Sequence, residues 1–306
     1  TFTRKAAGEL RERMRTRLNI LRERKLIDLT EQELLEGASE PTVSTYHSYA
    51  NTLVKDYGLR LGIEQDAQML GDAQAWQLVA QIVQYWDGEL PQGGKGEAAS
   101  KTYLVKQVLK LAGECAEHLV APQTVIEFCT AQIAAYESLS TPGPRKTVND
   151  TLRQLQTKII LARMVQRYAR VKARMQVLDY GDLIALAARI ARDVPQAVQL
   201  ERERYKVVLL DEFQDTSHAQ LQLFSDLFGT RAAEGEHPGY GEHPVMAVGD
   251  PKQSIYGFRG ASDGQLFSFY RYFPTADETP LYLTVAWRND TAILDAANLI
   301  AEPLKT

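Results

Sequence analysis

Short apolar runs alternate with longer segments of mixed polarity along the chain. The runs end in turn-forming or charged residues and have the length of strands buried in a parallel sheet, and they lie at 206–210, 245–248 and 281–283. Apolar positions elsewhere recur with helical spacing. This spacing predicts helices at 4–25, 47–57, 66–86, 99–119, 123–139, 147–175, 217–228, 263–272 and 291–301, and another that begins after the N-cap Asp179.

The order of these elements predicts an α/β protein. Strands and helices alternate after residue 175, which favours a parallel sheet with right-handed crossovers. Residues 59–175 contain only predicted helices. The sequence therefore predicts a parallel sheet that is interrupted by an all-helical block.

Composition is that of an ordinary globular protein. The chain has 306 residues, of which 44% are hydrophobic and 24% are charged. Its apolar stretches are all shorter than the roughly 18 residues that span a membrane. Cys115 and Cys129 form no metal-ligand pattern and are typical of buried thiols in a reducing compartment. These features predict a cytoplasmic protein with no membrane partner.

The net charge of −4 hides two basic stretches. Residues 1–25 carry nine basic and three acidic side chains, and residues 145–174 carry nine basic and one acidic. A phosphate-binding track needs such local stripes, but the same pattern also occurs on solvated helix surfaces. Charge alone leaves both interpretations open.

Two adjacent carboxylates, Asp211 and Glu212, follow the predicted strand at 206–210. Open α/β sheets bind ligands at the C-terminal ends of their strands. An Asp at this position is suited to hold Mg²⁺, and a neighbouring Glu is suited to orient or deprotonate a water molecule. An acidic turn without any function is the alternative.

A second polar loop, 249–261, follows the predicted strand at 245–248. Gln253 can hydrogen-bond a phosphate or an attacking water. Tyr256 and Phe258 alternate with small residues, and rings so placed can stack on nucleic acid bases. Arg259 can contact a phosphate. The alternative is a pair of core aromatic residues in an ordinary turn.

Six segments of the chain resemble motifs of the UvrD/Rep/PcrA/RecB group of superfamily 1 helicases, and they follow one another along the chain in the order that the family has. The sequences Asp-Glu-Phe-Gln-Asp-Thr at 211–216 and Gly-Asp-Pro-Lys-Gln-Ser-Ile-Tyr-Gly-Phe-Arg-Gly-Ala at 249–261 resemble motifs II and III. The others are 1–7 (motif Ia), 43–49 (motif Ib), 178–184 (a further motif before motif II) and 287–288 (motif IV, where Trp replaces the more frequent Tyr).

The resemblance implies ATP and Mg²⁺ as cofactors and a role for each matching residue. Asp211 would hold Mg²⁺, Glu212 would be the catalytic base, and Gln253 would sense the γ-phosphate. Trp287 would stack on adenine and Arg288 would contact the γ-phosphate as an arginine finger. Residues facing single-stranded DNA would be Phe2, Thr45, His47, Tyr256, Phe258 and Arg259.

The resemblance also implies a domain organisation. A first RecA-like domain would comprise 1–58 and 176–278, with 59–175 as its helical insertion, and a second RecA-like domain would begin at 279. The sequence has no Gly-x-x-x-x-Gly-Lys-Ser/Thr phosphate loop, and the family places that loop upstream of motif Ia. We therefore expect residues 1–306 to be a fragment that does not hydrolyse ATP alone.

Two functional hypotheses follow from these features. The first is part of an ATP-dependent 3′–5′ DNA helicase that acts on single strands and on single/double-strand junctions in repair or recombination. Within this hypothesis, Trp287-Arg288 and the Asp-Pro-Lys-Gln sequence at 250–253 resemble the RecB/AddA-like helicase–nucleases, which implies a nuclease or repair partner whose identity stays open. The second is a non-catalytic module that binds DNA or a protein.

Overall fold

The structure is a computed structural model. It describes residues 1, 3–26, 41–65, 67–91, 99–138, 145–229, 243–255, 257, 264–274 and 278–303, except for the side chains of 145–147 and 265. The described α-helices are α1 (Arg4–Glu23), α2 (Tyr46–Tyr57), α3 (Asp72–Gln84), α4 (Lys101–Glu117), α5 (Pro122–Ser138), α6 (Arg145–Met175), α7 (Tyr180–Asp193), α8 (Pro195–Arg204), α9 (His218–Phe228), α10 (Gly264–Phe267), α11 (Phe269–Tyr272) and α12 (Thr291–Ala301).

Among the described residues, four short strands form two parallel pairs. They are β1 (Gln68–Met69), β2 (Val177–Leu178), β3 (Val208–Leu210) and β4 (Val245–Ala247). In one pair Gln68 is opposite Val177, and in the other Val208 is opposite Val245. The parallel pairs and the predominance of helix confirm the α/β class in its coarse form.

The chain divides into two compact units. One comprises Thr1–Tyr49, Pro195–Thr216 and Phe224–Thr306, and the other comprises Ala50–Val194 and Ser217–Leu223. We call the first the strand unit, because it contains β3 and β4, and the second the helical unit. The domain boundaries expected at 58, 175 and 278 stay a prediction.

The core of the helical unit lies between α3, α4 and α6. Each helix contributes an apolar stripe, and its buried members include Val79, Leu104, Val108, Met164 and Tyr168. Spacings of three, four and seven residues place each stripe on one side of its helix. The remaining side of α6 carries exposed arginines, whereas Lys172 is buried beside Tyr168.

Aromatic rings dominate the core of the strand unit. Tyr46 meets Phe224 edge to face with 5.4 Å between ring centroids, and Tyr49 stacks on Phe224 at 5.6 Å. Phe213, which follows the Asp211–Glu212 pair, packs edge to face against Phe269 at 5.6 Å. Such ring pairs add about 1 kcal/mol each beyond the area they bury.

Two of the predicted elements were wrong. The helix expected at 66–86 begins only at Asp72, because residues 68–69 pair with β2 and Gly71 follows them. The strand expected at 281–283 is not a strand, and its side chains are 79–93% exposed. A strand needs a neighbour to accept its hydrogen bonds, and apolar composition alone does not supply one.

Among the described residues, none of the helices combines the length and the apolar character needed to cross a membrane.

Candidate functional site

The ends of β3 and β4 bring two polar loops together. Because the strands are parallel, both loops leave the same edge of the pair. Backbone hydrogen bonds continue past the strand ends: the amide of Val248 donates to Leu210 O (2.8 Å), and the amide of Phe213 donates to Val248 O (3.0 Å). The segment after Asp211 is therefore tied to the segment before Gly249.

Glu212 adopts an unusual backbone conformation at this edge. Its φ of 54° and ψ of 42° lie in the left-handed region, which costs a non-glycine residue about 1 kcal/mol or more. The hydrogen bond from Phe213 to Val248 follows directly and holds the turn. The result is a carboxylate that stands exposed at the strand end.

The side chain of Gln214 joins the two loops. It is only 1% exposed. Its Nε2 donates to a carboxylate oxygen of Glu212 (2.8 Å), and its Oε1 accepts from the amide of Asp250 (3.1 Å). Since an amide N–H can only donate, the Asp250 contact fixes the orientation of the Gln214 amide. That orientation directs its NH₂ group to Glu212.

Gly249 allows this close approach. A Cβ at position 249 would lie 2.5 Å from Oε1 of Gln214 and 3.2 Å from its backbone nitrogen. Any larger residue would therefore force the two loops apart. Glycine is required here because a side chain would collide with Gln214, as at other sites where two backbone segments approach closely.

Asp250 and Gln253 continue the network within the second loop. One carboxylate oxygen of Asp250 accepts from the amide of Lys252 (2.9 Å), and the other accepts from Nε2 of Gln253 (2.9 Å). The hydroxyl of Ser254 donates to the carbonyl of Gln214 (3.2 Å). The sequence-predicted residues Glu212 and Gln253 thus belong to one hydrogen-bonded network through Gln214 and Asp250.

Tyr46 supports the first loop from α2. Its hydroxyl donates to the carbonyl of Asp211 (3.1 Å), and the hydroxyl of Thr216 lies 3.5 Å away. Burial raises the pKa of Tyr46 to about 12, so the hydroxyl remains a donor. This contact links the 43–49 segment directly to the carboxylate pair.

The remaining predicted residues at this end of α2 have different environments. Thr45 is buried; its hydroxyl accepts from the amide of Ser48 (3.2 Å) and donates to that residue's hydroxyl (2.8 Å), so it caps α2. His47 is partly exposed on the first turn. The predicted DNA contacts of both residues stay predictions.

Several predicted residues are not brought into this network. Phe2, Tyr256, Phe258 and Arg259 lie outside the described residues. Trp287 is 93% exposed, and Arg288 is exposed beside it. Within the described part of the chain, no hydrogen bond or ion pair connects Trp287 or Arg288 to Asp211 or Glu212.

The charge of the site is carried by carboxylates. Over the described ranges, Asp211, Glu212 and Asp250 make no ion pair, and no group of three or more His, Cys, Asp or Glu residues could hold a metal. Mg²⁺ is usually bound by one or two carboxylates together with water and phosphate oxygens. The donor set of Asp211 and Glu212 fits that chemistry.

Sequence reasoning missed the structural importance of Gln214 and Tyr46. Both lie inside the motif-like segments, but a Gln or a Tyr at such a position does not by itself indicate a structural role. Their roles depend on partners 36 and 165 residues away. The only sequence signal for Gln214 was its position, directly after Phe213 and the two acids Asp211 and Glu212.

The sequence matches the family described as the UvrD/REP helicase N-terminal domain over residues 1–274. It is 36% identical over 140 residues to the ATP-dependent DNA helicase UvrD1 of Mycobacterium tuberculosis, covering 46% of this chain and 17% of the relative. It is 27% identical over 326 residues to the RecBCD enzyme subunit RecB of the same species, a match that covers 98% of this chain and 26% of that relative.

A third relative is the ATP-dependent DNA helicase PcrA of Bacillus subtilis, which is 24% identical over 298 residues. That match covers 97% of this chain and 32% of the relative. The chain therefore spans a third or less of these three relatives. The match over residues 1–274 includes both loops of the network, and the chain belongs to the UvrD/REP helicase family.

Proposed function

We propose that residues 1–278 form the first RecA-like domain of an ATP-dependent DNA helicase, with 59–175 as its helical insertion, and that the second RecA-like domain begins at 279. The observation that carries this proposal is the Gln214 bridge, which links the Asp211–Glu212 pair to Asp250 and Gln253. A nucleotide-driven motor needs its metal and water site to respond to its γ-phosphate sensor. The bridge would connect those two places through hydrogen bonds.

Each carboxylate of the pair has its own role. Asp211 would hold Mg²⁺, which supplies charge neutralisation for the phosphates when bound. Glu212 would orient and deprotonate the attacking water, and the hydrogen bond from Gln214 fixes one of its oxygens while the other remains available.

The other assignments rest on the family's motifs. Gln253 would sense the γ-phosphate, Arg288 would stabilise charge on it, and Trp287 would stack on adenine. The single strand would run past Phe2, Thr45, His47 and Arg259, with bases stacked on the rings of Tyr256 and Phe258. We further propose 3′–5′ movement on single strands and at single/double-strand junctions during repair or recombination, in the cytoplasm.

Replacement of the metal ligand tests the proposal. In the full-length protein that contains these residues, Asp211→Asn should lower DNA-stimulated ATP hydrolysis at least about 100-fold, because the neutral amide is a poor Mg²⁺ ligand. Asp193→Asn, an exposed carboxylate at the end of α7, is the matched control and should leave the rate unchanged. Equal rates for both variants would refute the nucleotide site.

A second candidate function is a non-catalytic module that binds DNA or a protein. The observation that favours it is the pair of basic stretches at 1–25 and 145–174, the second of which lies in the helical insertion; residues 1–306 contain no Gly-x-x-x-x-Gly-Lys-Ser/Thr loop. Without the backbone cradle and lysine of that loop, we expect the isolated chain not to turn over ATP. DNA-stimulated hydrolysis by the isolated chain that disappears in Glu212→Gln would contradict this expectation.

A further inference from the structure

The hydroxyl of Tyr46 touches both ends of the loop at 211–216. It donates to the backbone carbonyl of Asp211 (3.1 Å) and accepts from the hydroxyl of Thr216 (3.5 Å). Since Thr216 donates to it, the single proton of the phenol is left for the Asp211 carbonyl. Tyr46 and Thr216 are buried, whereas Glu212 is exposed. The contact is therefore a buried one, made to the backbone that carries the carboxylate pair.

Packing fixes the position of this hydroxyl. The ring of Tyr46 meets Phe224 edge to face with 5.4 Å between centroids. Thr45, the residue before it, caps α2 through hydrogen bonds with Ser48, so the first turn of the helix is also held. A tyrosine has only two side-chain torsions, and packing of its ring leaves the hydroxyl little freedom. The hydroxyl is thus a fixed donor for one carbonyl.

The carbonyl that Tyr46 contacts belongs to the peptide group between Asp211 and Glu212. A peptide group is planar, so a hydrogen bond to its oxygen fixes the orientation of the whole group. Glu212 follows this peptide with a φ of 54°, in the left-handed region that a non-glycine residue avoids. Half a turn of the peptide would bring that φ to a negative value, but it would turn the carbonyl away from Tyr46. The hydrogen bond therefore opposes the rotation that would relieve the strain.

A second hydrogen bond holds the other side of Glu212. The amide of Phe213 donates to the carbonyl of Val248 (3.0 Å), so the peptides before and after Glu212 are both fixed. Residues in such conformations persist only where their surroundings over-determine them. The two peptides set the direction in which the Glu212 side chain leaves the backbone. Tyr46 thus contributes to where the Glu212 carboxylate stands.

Tyr49, one turn later in α2, provides a comparison. Its ring stacks on the same Phe224, with 5.6 Å between centroids, and it is buried as well. Its hydroxyl, however, donates to a carboxylate oxygen of Glu201 in α8 (2.7 Å). The two tyrosines therefore share a packing partner and differ in the group that their hydroxyls hold.

We propose that Tyr46 is a positioning residue for ATP hydrolysis, whose hydroxyl holds the Asp211–Glu212 peptide so that the Glu212 carboxylate stands at the attacking water. The proposal rests on the proposed function in taking Glu212 as the base. Tyr46 itself touches no reacting group. Without the hydroxyl the peptide is free to rotate, and molecules with Glu212 displaced bind ATP but do not hydrolyse it. The turnover number then falls with the fraction of molecules that keep Glu212 in place.

The test is Tyr46→Phe in the full-length protein that contains these residues. The variant keeps the ring and its contact with Phe224 and loses only the hydroxyl. The rate is measured against ATP concentration at a saturating concentration of oligo(dT). We expect kcat to fall about 10-fold, the rate equivalent of about 1.4 kcal/mol or one hydrogen bond, while KM for ATP stays within about two-fold. Equal losses in kcat and kcat/KM mark an interaction that acts on the chemical step and not on binding.

The matched control is Tyr49→Phe, which removes the hydroxyl that donates to the buried Glu201. It should lower the urea midpoint more than Tyr46→Phe does, because relief of the Glu212 strain partly offsets the loss of the Tyr46 hydrogen bond. Its kcat should nevertheless stay within about two-fold of wild type. Tyr205→Phe, on the ring that meets Tyr49 edge to face at 6.0 Å, is a second control with the same expected kcat.

The proposal is overturned if Tyr46→Phe keeps a kcat within about two-fold of wild type, or if either control lowers kcat as much. A higher KM with unchanged kcat would also overturn it, since that result would place Tyr46 in nucleotide binding. Failure of the proposed function is recognised separately, by an Asp211→Asn variant that still hydrolyses ATP. If Asp211→Asn abolishes hydrolysis and Tyr46→Phe leaves it unchanged, only the role of Tyr46 fails.

Discussion

Two carboxylate pairs in this molecule have opposite surroundings. In the helical unit, Lys172 donates to Asp179 (2.6 Å) and to Asp182 (2.6 Å), and its side chain is only 8% exposed. In the strand unit, Asp211 and Glu212 make no ion pair with a described residue, and Glu212 is held only by the amide of Gln214.

The difference separates carboxylates that the fold uses from carboxylates that we propose bind a ligand cation. Asp179 caps α7 and Asp182 completes the capping box, so both acids are used by the fold. Lys172 also lies 4.4 Å from the ring centroid of Tyr168. The pair in the strand unit is ordered by neutral donors, which leaves its negative charge for a ligand cation.

Removal of the buried lysine should have the largest effect on stability. Lys172→Met leaves two partly buried carboxylates without their cation, and we expect a loss of about 3 kcal/mol or more in the free energy of unfolding. Urea unfolding measures it. Lys158→Met removes an exposed lysine from the same helix and should cost less than about 0.5 kcal/mol. Equal losses would show that the Lys172 cluster is not structural.

A charge introduced at Gln214 should have the next largest effect. Gln214→Glu places a carboxylate where an NH₂ group now faces Glu212, and we expect a loss of about 2 kcal/mol in the free energy of unfolding. Part of the loss should be recovered in the double variant with Glu212→Gln. A double variant as unstable as Gln214→Glu alone would contradict the bridge.

A methyl group at position 249 should separate the two loops. Gly249→Ala puts its Cβ against Oε1 and the backbone nitrogen of Gln214, so we expect about 1–3 kcal/mol of destabilisation. Gly113→Ala is the control, since a Cβ there meets no atom within 4 Å. If Gly249→Ala were as stable as wild type, the loops would be free to move apart.

Asp179 and Asp182, the two acids around Lys172, should contribute differently to the free energy of unfolding. Burial acts to raise the pKa of Asp179, but the Lys172 ammonium and the hydrogen bonds from Lys172, the Asp182 amide and the Tyr168 hydroxyl together hold that pKa below the usual value of 3.8. Burial, with the Asp179 charge, raises the pKa of Asp182 despite Lys172. Asp179→Asn should therefore cost more than Asp182→Asn at pH 7, by about 1 kcal/mol.

The pH dependence of this gap follows from linkage. A depressed pKa in the folded state adds stability above the unfolded value of 3.8, and that stability is lost as the pH falls through the lower folded pKa. The gap between the two Asn variants should thus close as the pH falls below about 4. Urea unfolding across this range checks it; a constant gap would contradict the assignment.

The sequence could predict what depends on neighbours along the chain. Asp179 is the N-cap that its position predicts, and the carboxylates follow β3 as the apolar run indicates. Partners distant in sequence were not predictable. The pairing of Gln68 with Val177, the exposure of Leu281 and the orientation of the Gln214 amide all depend on contacts that no local pattern encodes.

The most direct test measures stability and turnover for the same substitution. Glu212→Gln keeps a carbonyl oxygen for the Gln214 hydrogen bond, so the free energy of unfolding should stay within about 0.5 kcal/mol. DNA-stimulated ATP hydrolysis by the full-length protein should fall about 100-fold or more. Glu203→Gln, an exposed glutamate of α8, should change neither. Hydrolysis by Glu212→Gln within about two-fold of wild type would contradict the account.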